Sequence, residues 1–181
     1  MLTDDTFLEE QQCRYLMRWA EPELSVDFRP VPTDGREGML MPTDEDEPTA
    51  CVRIRHTLAQ ISQQPLLHVE PVQVVRYQPG STYPLHYDGF WRRWTFMVYL
   101  NDDFVGGELV FPLIDFTTRP KQGKAYYWQN ADDKGNIKDH AHCGNPITEG
   151  VKWIAITFSS TRPFVRSEIG VSPKRVASRF D

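Results

Sequence analysis

The chain has 181 residues, 40% of them hydrophobic and 25% charged, with a formal net charge of -5. That length suits one domain with a sizeable core, and no apolar run approaches what a membrane-spanning helix needs. The acidic balance excludes a general phosphate-backbone binder, so nucleic acid is not an expected partner unless a local basic patch exists.

The N-terminal segment carries Asp4, Asp5, Glu9 and Glu10 where a secretory signal would be basic and then apolar, which leads us to expect an intracellular, cytoplasmic protein. Thr6 followed by Glu9 reads as a capping box. Leu8, Gln12, Tyr15, Leu16 and Trp19 then recur at helical spacing, predicting a first helix over about 6–20. Residues 21–49 are rich in proline and acid, ending in Thr43-Asp44-Glu45-Asp46-Glu47-Pro48. They are expected to form a long solvated loop with one or two short strands, or a lid over a site. Cys51, Ile54, Leu58 and Ile61 predict a second amphipathic helix that Pro65 stops. Cys13, Cys51 and Cys143 are odd in number and widely spaced, which fits reduced thiols better than a disulfide framework.

From Glu70 the character changes to short β-branched and aromatic runs, at 72–77, 83–90, 94–100, 108–111, 124–128 and 151–158. Turn signals separate them at Pro79-Gly80, Asn101-Asp102-Asp103 and Gly106-Gly107. Many strands without intervening helices imply a mainly β fold, a sandwich or jelly roll, with the helices flanking it. After Thr161 the chain is basic, with Arg162, Arg166, Lys174, Arg175 and Arg179, and reads as a solvated extension.

His86 and Asp88 stand two apart in a predicted strand, so both side chains should leave one face and converge on one ion. Alone the pair carries little weight. His142 in His-Cys-Gly-Asn-Pro offers a third ligand, although His140 two residues earlier is a competing choice. Two histidines and one carboxylate leave three positions open on an iron, the arrangement of non-haem Fe(II) oxygenases. A keto acid such as 2-oxoglutarate would chelate two of them and leave one for oxygen. Lys152, at the start of the last strong strand, is a compact cation suited to the far carboxylate. Thr95 and Tyr99, on one face of a strand, and Tyr77 could hydrogen-bond the same molecule.

The matching stretches run in order over about residues 70–160. They are Val74-Val75-Arg76-Tyr77-Gln78-Pro79-Gly80, Tyr83-Pro84-Leu85-His86-Tyr87-Asp88, Arg93-Trp94-Thr95, Tyr99-Leu100-Asn101-Asp102, Gly106-Gly107-Glu108-Leu109-Val110-Phe111-Pro112, Pro120-Lys121-Gln122-Gly123, and His142 through Trp153. As a set they resemble the prolyl 4-hydroxylase family of 2-oxoglutarate- and Fe(II)-dependent dioxygenases. The resemblance implies a double-stranded β-helix of the jelly-roll, cupin-like type with N-terminal helices packed outside. It implies one domain over 1–181, with a helical support at about 1–68, a catalytic core at about 69–160 and the basic extension at 161–181. It also implies that His86, Asp88 and His142 hold Fe(II), that Lys152 anchors 2-oxoglutarate, and that Tyr77, Thr95 and Tyr99 line the cosubstrate pocket. Oxygen is then the second cosubstrate and ascorbate the reductant.

The implied reaction is hydroxylation of an unactivated C–H bond, with a prolyl residue of a protein or peptide as the leading substrate. A free amino acid, another small molecule or a nucleobase stays open. Only six residues, 89–94, separate Asp88 from Thr95, fewer than the family's usual mobile loop, so the substrate lid should differ. Tyr83, Trp91 and Arg93 are the candidate substrate contacts at the rim. Two rivals remain: a zinc hydrolase on the same three ligands, and a metal-binding jelly-roll module without turnover.

Overall fold

Where the sequence alternates in polarity it builds two-sided strands, and these set the architecture. The structure, a computed structural model, describes residues 1–26, 38–132 and 134–165. Part of the predicted 21–49 loop and most of the basic tail thus lie outside the described residues. In chain order the elements are β1 (Leu2–Asp4), α1 (Glu10–Val26), β2 (Gly38–Leu40), α2 (Thr49–Ser62), β3 (Gln73–Tyr77), β4 (Tyr83–His86) and β5 (Arg92–Tyr99). They continue with β6 (Val105–Gly106), β7 (Leu109–Phe111), β8 (Phe116–Thr117), β9 (Ala125–Gln129), β10 (Ala131–Asp132), β11 (Gly135–Asn136), β12 (His142–Gly144), β13 (Ile147–Glu149) and β14 (Lys152–Ser160).

Strands β1, β9, β5, β14, β3 and β2 lie side by side in a six-stranded antiparallel sheet, and β4, β12, β7 and β8 form a four-stranded one. Along the chain β3, β5, β9 and β14 join the large sheet while β4, β7 and β12, which fall between them, join the small one. This repeated crossing from sheet to sheet is the double-stranded β-helix expected from the sequence.

The large sheet is buried on both faces. Phe96, Val98 and Leu100, with Val72, Val74, Trp153 and Ala155, pack against the helical residues Cys13, Leu16, Ala20, Leu24, Cys51, Ile54 and Leu58. The opposite face presents Val75, Met97, Tyr99, Tyr126, Trp128 and Ile154, which meet Leu109 and Phe111 of the small sheet. Each fully buried aliphatic or aromatic side chain contributes about 1.5–3 kcal/mol by leaving water.

Three boundaries differ from the sequence reading. Helix α1 begins at Glu10 rather than near Thr6, because the cap is formed one turn later: Gln12 Oε1 accepts from the Glu9 N–H at 3.0 Å and the Glu9 carbonyl accepts from Cys13. Thr6 instead donates its N–H to Asp4 Oδ1 in a turn. The helix also continues past residue 20 through Pro22 to Val26, because Leu24 is buried beyond it. Packing here overrides the loss of about 3 kcal/mol that an interior proline costs. The acidic segment is tied down: Asp46 Oδ1 accepts from Thr43, and Glu47 pairs with Arg55 at 2.8 Å. Finally, the strand predicted over 83–90 ends at His86, so Asp88 stands in the loop beyond it.

Candidate metal centre

His86 and His142 are cross-strand partners in the pairing of β4 with β12, and their ring centroids are 4.4 Å apart. Asp88 reaches the same point from the loop after β4, with Oδ1 at 3.5 Å from His86 Nε2 and 3.7 Å from His142 Nε2. One ligand atom from each of the three residues lies within 4.8 Å of the others. His140, the competing choice, turns away: its Nδ1 donates to the Gln129 carbonyl and its own carbonyl accepts from His142.

The outer partners decide which nitrogens face inward. His86 Nδ1 lies 2.9 Å from the Pro84 carbonyl and His142 Nδ1 2.9 Å from the His140 carbonyl. A carbonyl only accepts, so both Nδ1 atoms carry the proton and both Nε2 atoms present lone pairs. Two lone pairs and a carboxylate oxygen aimed at one point repel unless a proton or cation lies among them. The donor set therefore fits a divalent metal, with the histidine outer contacts usual at such sites. Burial pushes His142 below the ordinary histidine pKa, against the opposing charge of Asp88, which favours its ligating neutral form. Burial alone would raise Asp88, but the His86 and His142 rings, whenever they carry a second proton, and the donated hydroxyl of Thr95 hold it below the ordinary carboxylate value.

The three residues line a cavity of about 450 Å³ together with Tyr77, Tyr83, Arg92, Asn145, Lys152 and Trp128. Lys152 is buried and gives one of its three ammonium protons to the Gly107 carbonyl at 2.7 Å. Its Nζ sits 5.1 Å from the Tyr77 ring centroid and 5.6 Å from that of Tyr99. Burial pulls its pKa down to about 8, with Glu108 opposing. Gly106 and Gly107 bring the backbone this close: both have positive φ, and a Cβ on Gly106 would lie 2.1 Å from the Pro146 carbonyl oxygen.

Other expectations change at atomic detail. Thr95 is fully buried and its hydroxyl donates to Asp88 Oδ2 at 2.6 Å, so it faces the candidate ligand cluster rather than a cosubstrate carboxylate. The Tyr99 hydroxyl is within 2.7 Å of Thr118 Oγ1, so its ring flanks Lys152 while its polar end is taken elsewhere. Neither Trp91 nor Arg93 lines the cavity; Arg92 does. A register shift between Ser159 and Ser160 pairs Ser159 with Trp94 but Ser160 with Arg92, leaving Arg93 as the extra residue. Simple alternation with Thr95 would have selected Arg93, and the bulge substitutes its neighbour. Arg92 stacks over Phe158 at 3.7 Å and forks onto Glu70, Nε to Oε1 at 2.7 Å and Nη2 to Oε2 at 2.8 Å. Glu70 and Asn130 escaped the sequence reading because only the folded chain shows where they point.

A facial set of two imidazoles and one carboxylate inside a jelly roll defines a non-haem metal-dependent oxygenase centre. Residues 72–160 match the family model described as the 2OG-Fe(II) oxygenase superfamily, and the chain belongs to it as a prolyl 4-hydroxylase-like member. The chain is 27% identical over 184 residues to prolyl 4-hydroxylase 13 of Arabidopsis thaliana, covering 82% of this chain and 66% of that protein. It is 33% identical over 117 residues to a putative prolyl 4-hydroxylase of Acanthamoeba polyphaga mimivirus, covering 55% of this chain and 48% of that one. It thus spans less than two thirds of the length of these curated relatives. A solved viral collagen prolyl hydroxylase from Paramecium bursaria Chlorella virus-1, in its 2OG complex, superposes with a TM-score of 0.71 at 28% identity, covering 87% of this chain and 93% of that one.

Proposed function

We propose that the chain is an Fe(II)- and 2-oxoglutarate-dependent hydroxylase acting on a prolyl residue of a protein or peptide. The observation that carries this reading is the meeting of three metal-ligating side chains and one buried ammonium in a single chamber. His86, Asp88 and His142 would hold the metal, and Lys152, flanked by Tyr77 and Tyr99, would take the distal carboxylate of the cosubstrate. When bound, Fe(II) supplies the oxygen activation that couples decarboxylation of 2-oxoglutarate, to succinate and carbon dioxide, with hydroxylation of the substrate.

The protein's part is orientation and exclusion of water. The two outer carbonyls fix both imidazole tautomers, and Met97, Leu109, Trp128 and Ile154 give the chamber an apolar wall. Tyr83, packed 4.5 Å from the His86 ring, and Arg92 would meet the substrate at the entrance. Leu85, Tyr87, Phe90 and Trp91, all exposed, surround the ligands His86 and Asp88 with apolar surface, which suits an extended peptide better than a small polar metabolite. Ascorbate is the expected reductant. The free thiols Cys13, Cys51 and Cys143 suit a reducing cytoplasm, and among the described residues no helix is long and apolar enough to cross a membrane. The catalytic core is read as residues 69–160, supported by the helices at 1–68.

Purified protein given Fe(II), ascorbate, 2-oxoglutarate and a proline-rich peptide should release succinate and hydroxylated peptide, while His142→Ala should release neither. Wild-type protein that binds iron and 2-oxoglutarate but turns over neither peptide nor 2-oxoglutarate would overturn the reading.

A further inference from the structure

We infer that a two-residue relay, Asn130 to Thr95, assigns the two oxygens of Asp88 to different tasks and makes it a one-oxygen metal ligand. The inference deepens the metal reading above and rests on it. Asp88 stands outside any strand, so its carboxylate must be oriented by something other than backbone register. Thr95 Oγ1 lies 2.6 Å from Asp88 Oδ2, and Asn130 Nδ2 lies 2.7 Å from Thr95 Oγ1.

The direction of this chain follows from donor chemistry. An ionised carboxylate only accepts, so the single hydroxyl proton of Thr95 goes to Asp88. The Thr95 oxygen is then left as an acceptor, and the Asn130 amide fills it. Thr95 and Asn130 are both buried, leaving no water to substitute for either partner. Asn130 is itself held, its N–H donating to the Arg93 carbonyl at 2.7 Å and its carbonyl accepting from Ile137. Asp88 Oδ2 is therefore occupied from behind, and only Oδ1 faces the two imidazole Nε2 atoms. A carboxylate free to rotate is able to chelate a metal through both oxygens, which would fill one of the three positions that cosubstrate and oxygen require. Thr95 and Asn130 are thus positioning residues that set the number of open sites.

The test uses the whole purified chain, metal-free and under nitrogen, titrated with Co(II) and followed by calorimetry and by its visible absorption. Thr95→Val, which keeps the shape and removes the hydroxyl, should weaken Co(II) binding roughly 10–100-fold, the usual consequence of losing an outer partner of a metal ligand. Its Co(II) spectrum should shift as the coordination number changes. Thr95→Ser, which restores the donor, should bring both back to wild type. Should Thr95→Val fail to fold, Asn130→Leu carries the test, with a spectral change and a loss of roughly tenfold expected. Unchanged affinity and spectrum in a folded Thr95→Val or Asn130→Leu protein would overturn the relay, as would a lowered melting temperature with metal binding intact. A wild-type chain that binds no divalent ion overturns the metal reading itself, a different and distinguishable failure.

Discussion

His142 is the cross-strand partner of His86, so the backbone register of β4 against β12 brings the two imidazoles together. With Asp88 added, three acceptors crowd one point, and the folded protein should bind a divalent ion far better than the unfolded chain does. Saturating Mn(II), at about 100 times its Kd, would add about 2.7 kcal/mol of stability. For a chain of this size that is a rise of about 5–10 °C in melting temperature. Chelator should remove it and His86→Ala should abolish it. A melting curve indifferent to Mn(II) and chelator would contradict the prediction.

Lys152→Met should separate stability from cosubstrate binding. It removes a cation that burial disfavours, so unfolding by urea should show equal or greater stability. The loss of the charge partner should cost about 2–5 kcal/mol of 2-oxoglutarate binding, a rise of roughly 30-fold or more in its Kd. A variant with unchanged affinity would show that the carboxylate is held elsewhere.

Lys152 also predicts two opposite pH dependences. Its pKa falls from 10.5 to about 8 on folding. Below pH 8 the ammonium exists in both states and the full cost of burying it is present. Between pH 8 and 10.5 the unfolded chain holds a proton that the folded chain has lost, so this group makes stability rise with pH across that window. If Lys152 holds the cosubstrate as proposed, affinity should fall over the same window, since the charged ammonium is the binding form, and binding above pH 8 should take up a proton. Calorimetry in buffers of different ionisation heat measures that uptake, and Lys152→Met should show none.

The fork between Arg92 and Glu70 is a structural liability if halved. Glu70 is buried and its carboxyl is pushed up by that burial, with Arg92 opposing. Arg92→Ala strands the carboxylate and should cost about 3–5 kcal/mol, whereas replacing both by apolar residues, Glu70→Leu with Arg92→Met, should recover most of it. Trp91→Ala, on the exposed side of the same turn, should fall within about 0.5 kcal/mol of wild type. Urea midpoints decide, and an Arg92→Ala protein as stable as Trp91→Ala would refute the argument.

The features readable from sequence were those that short-range pattern controls. The alternation around Phe96, Val98 and Leu100 exposed the two-faced strand, and Cys51, Ile54 and Leu58 gave the second helix. His86, Asp88 and Lys152 were legible because their types are chemically restrictive. What escaped depended on register or distant partners. Thr95 looked free for a cosubstrate because nothing in its neighbourhood reveals Asn130, 35 residues away, filling its lone pair. Pattern alone could not separate Arg92 from Arg93, because the bulge that makes Arg93 the extra residue of β5 leaves no local mark. The Thr6 cap was a sound motif outcompeted by Gln12, an equally sound one three residues after Glu9.

The misfit between Ser159 and Ser160 lies at the outer end of β14, remote along the strand from the ammonium at its beginning. The buried cation and the irregular rim therefore stand at opposite ends of one ribbon. Deleting Arg93, the unpaired residue, would restore regular pairing and leave Arg92 facing Ser160, so the irregularity adds a residue to the rim while Lys152, at the far end of the same strand, keeps its register.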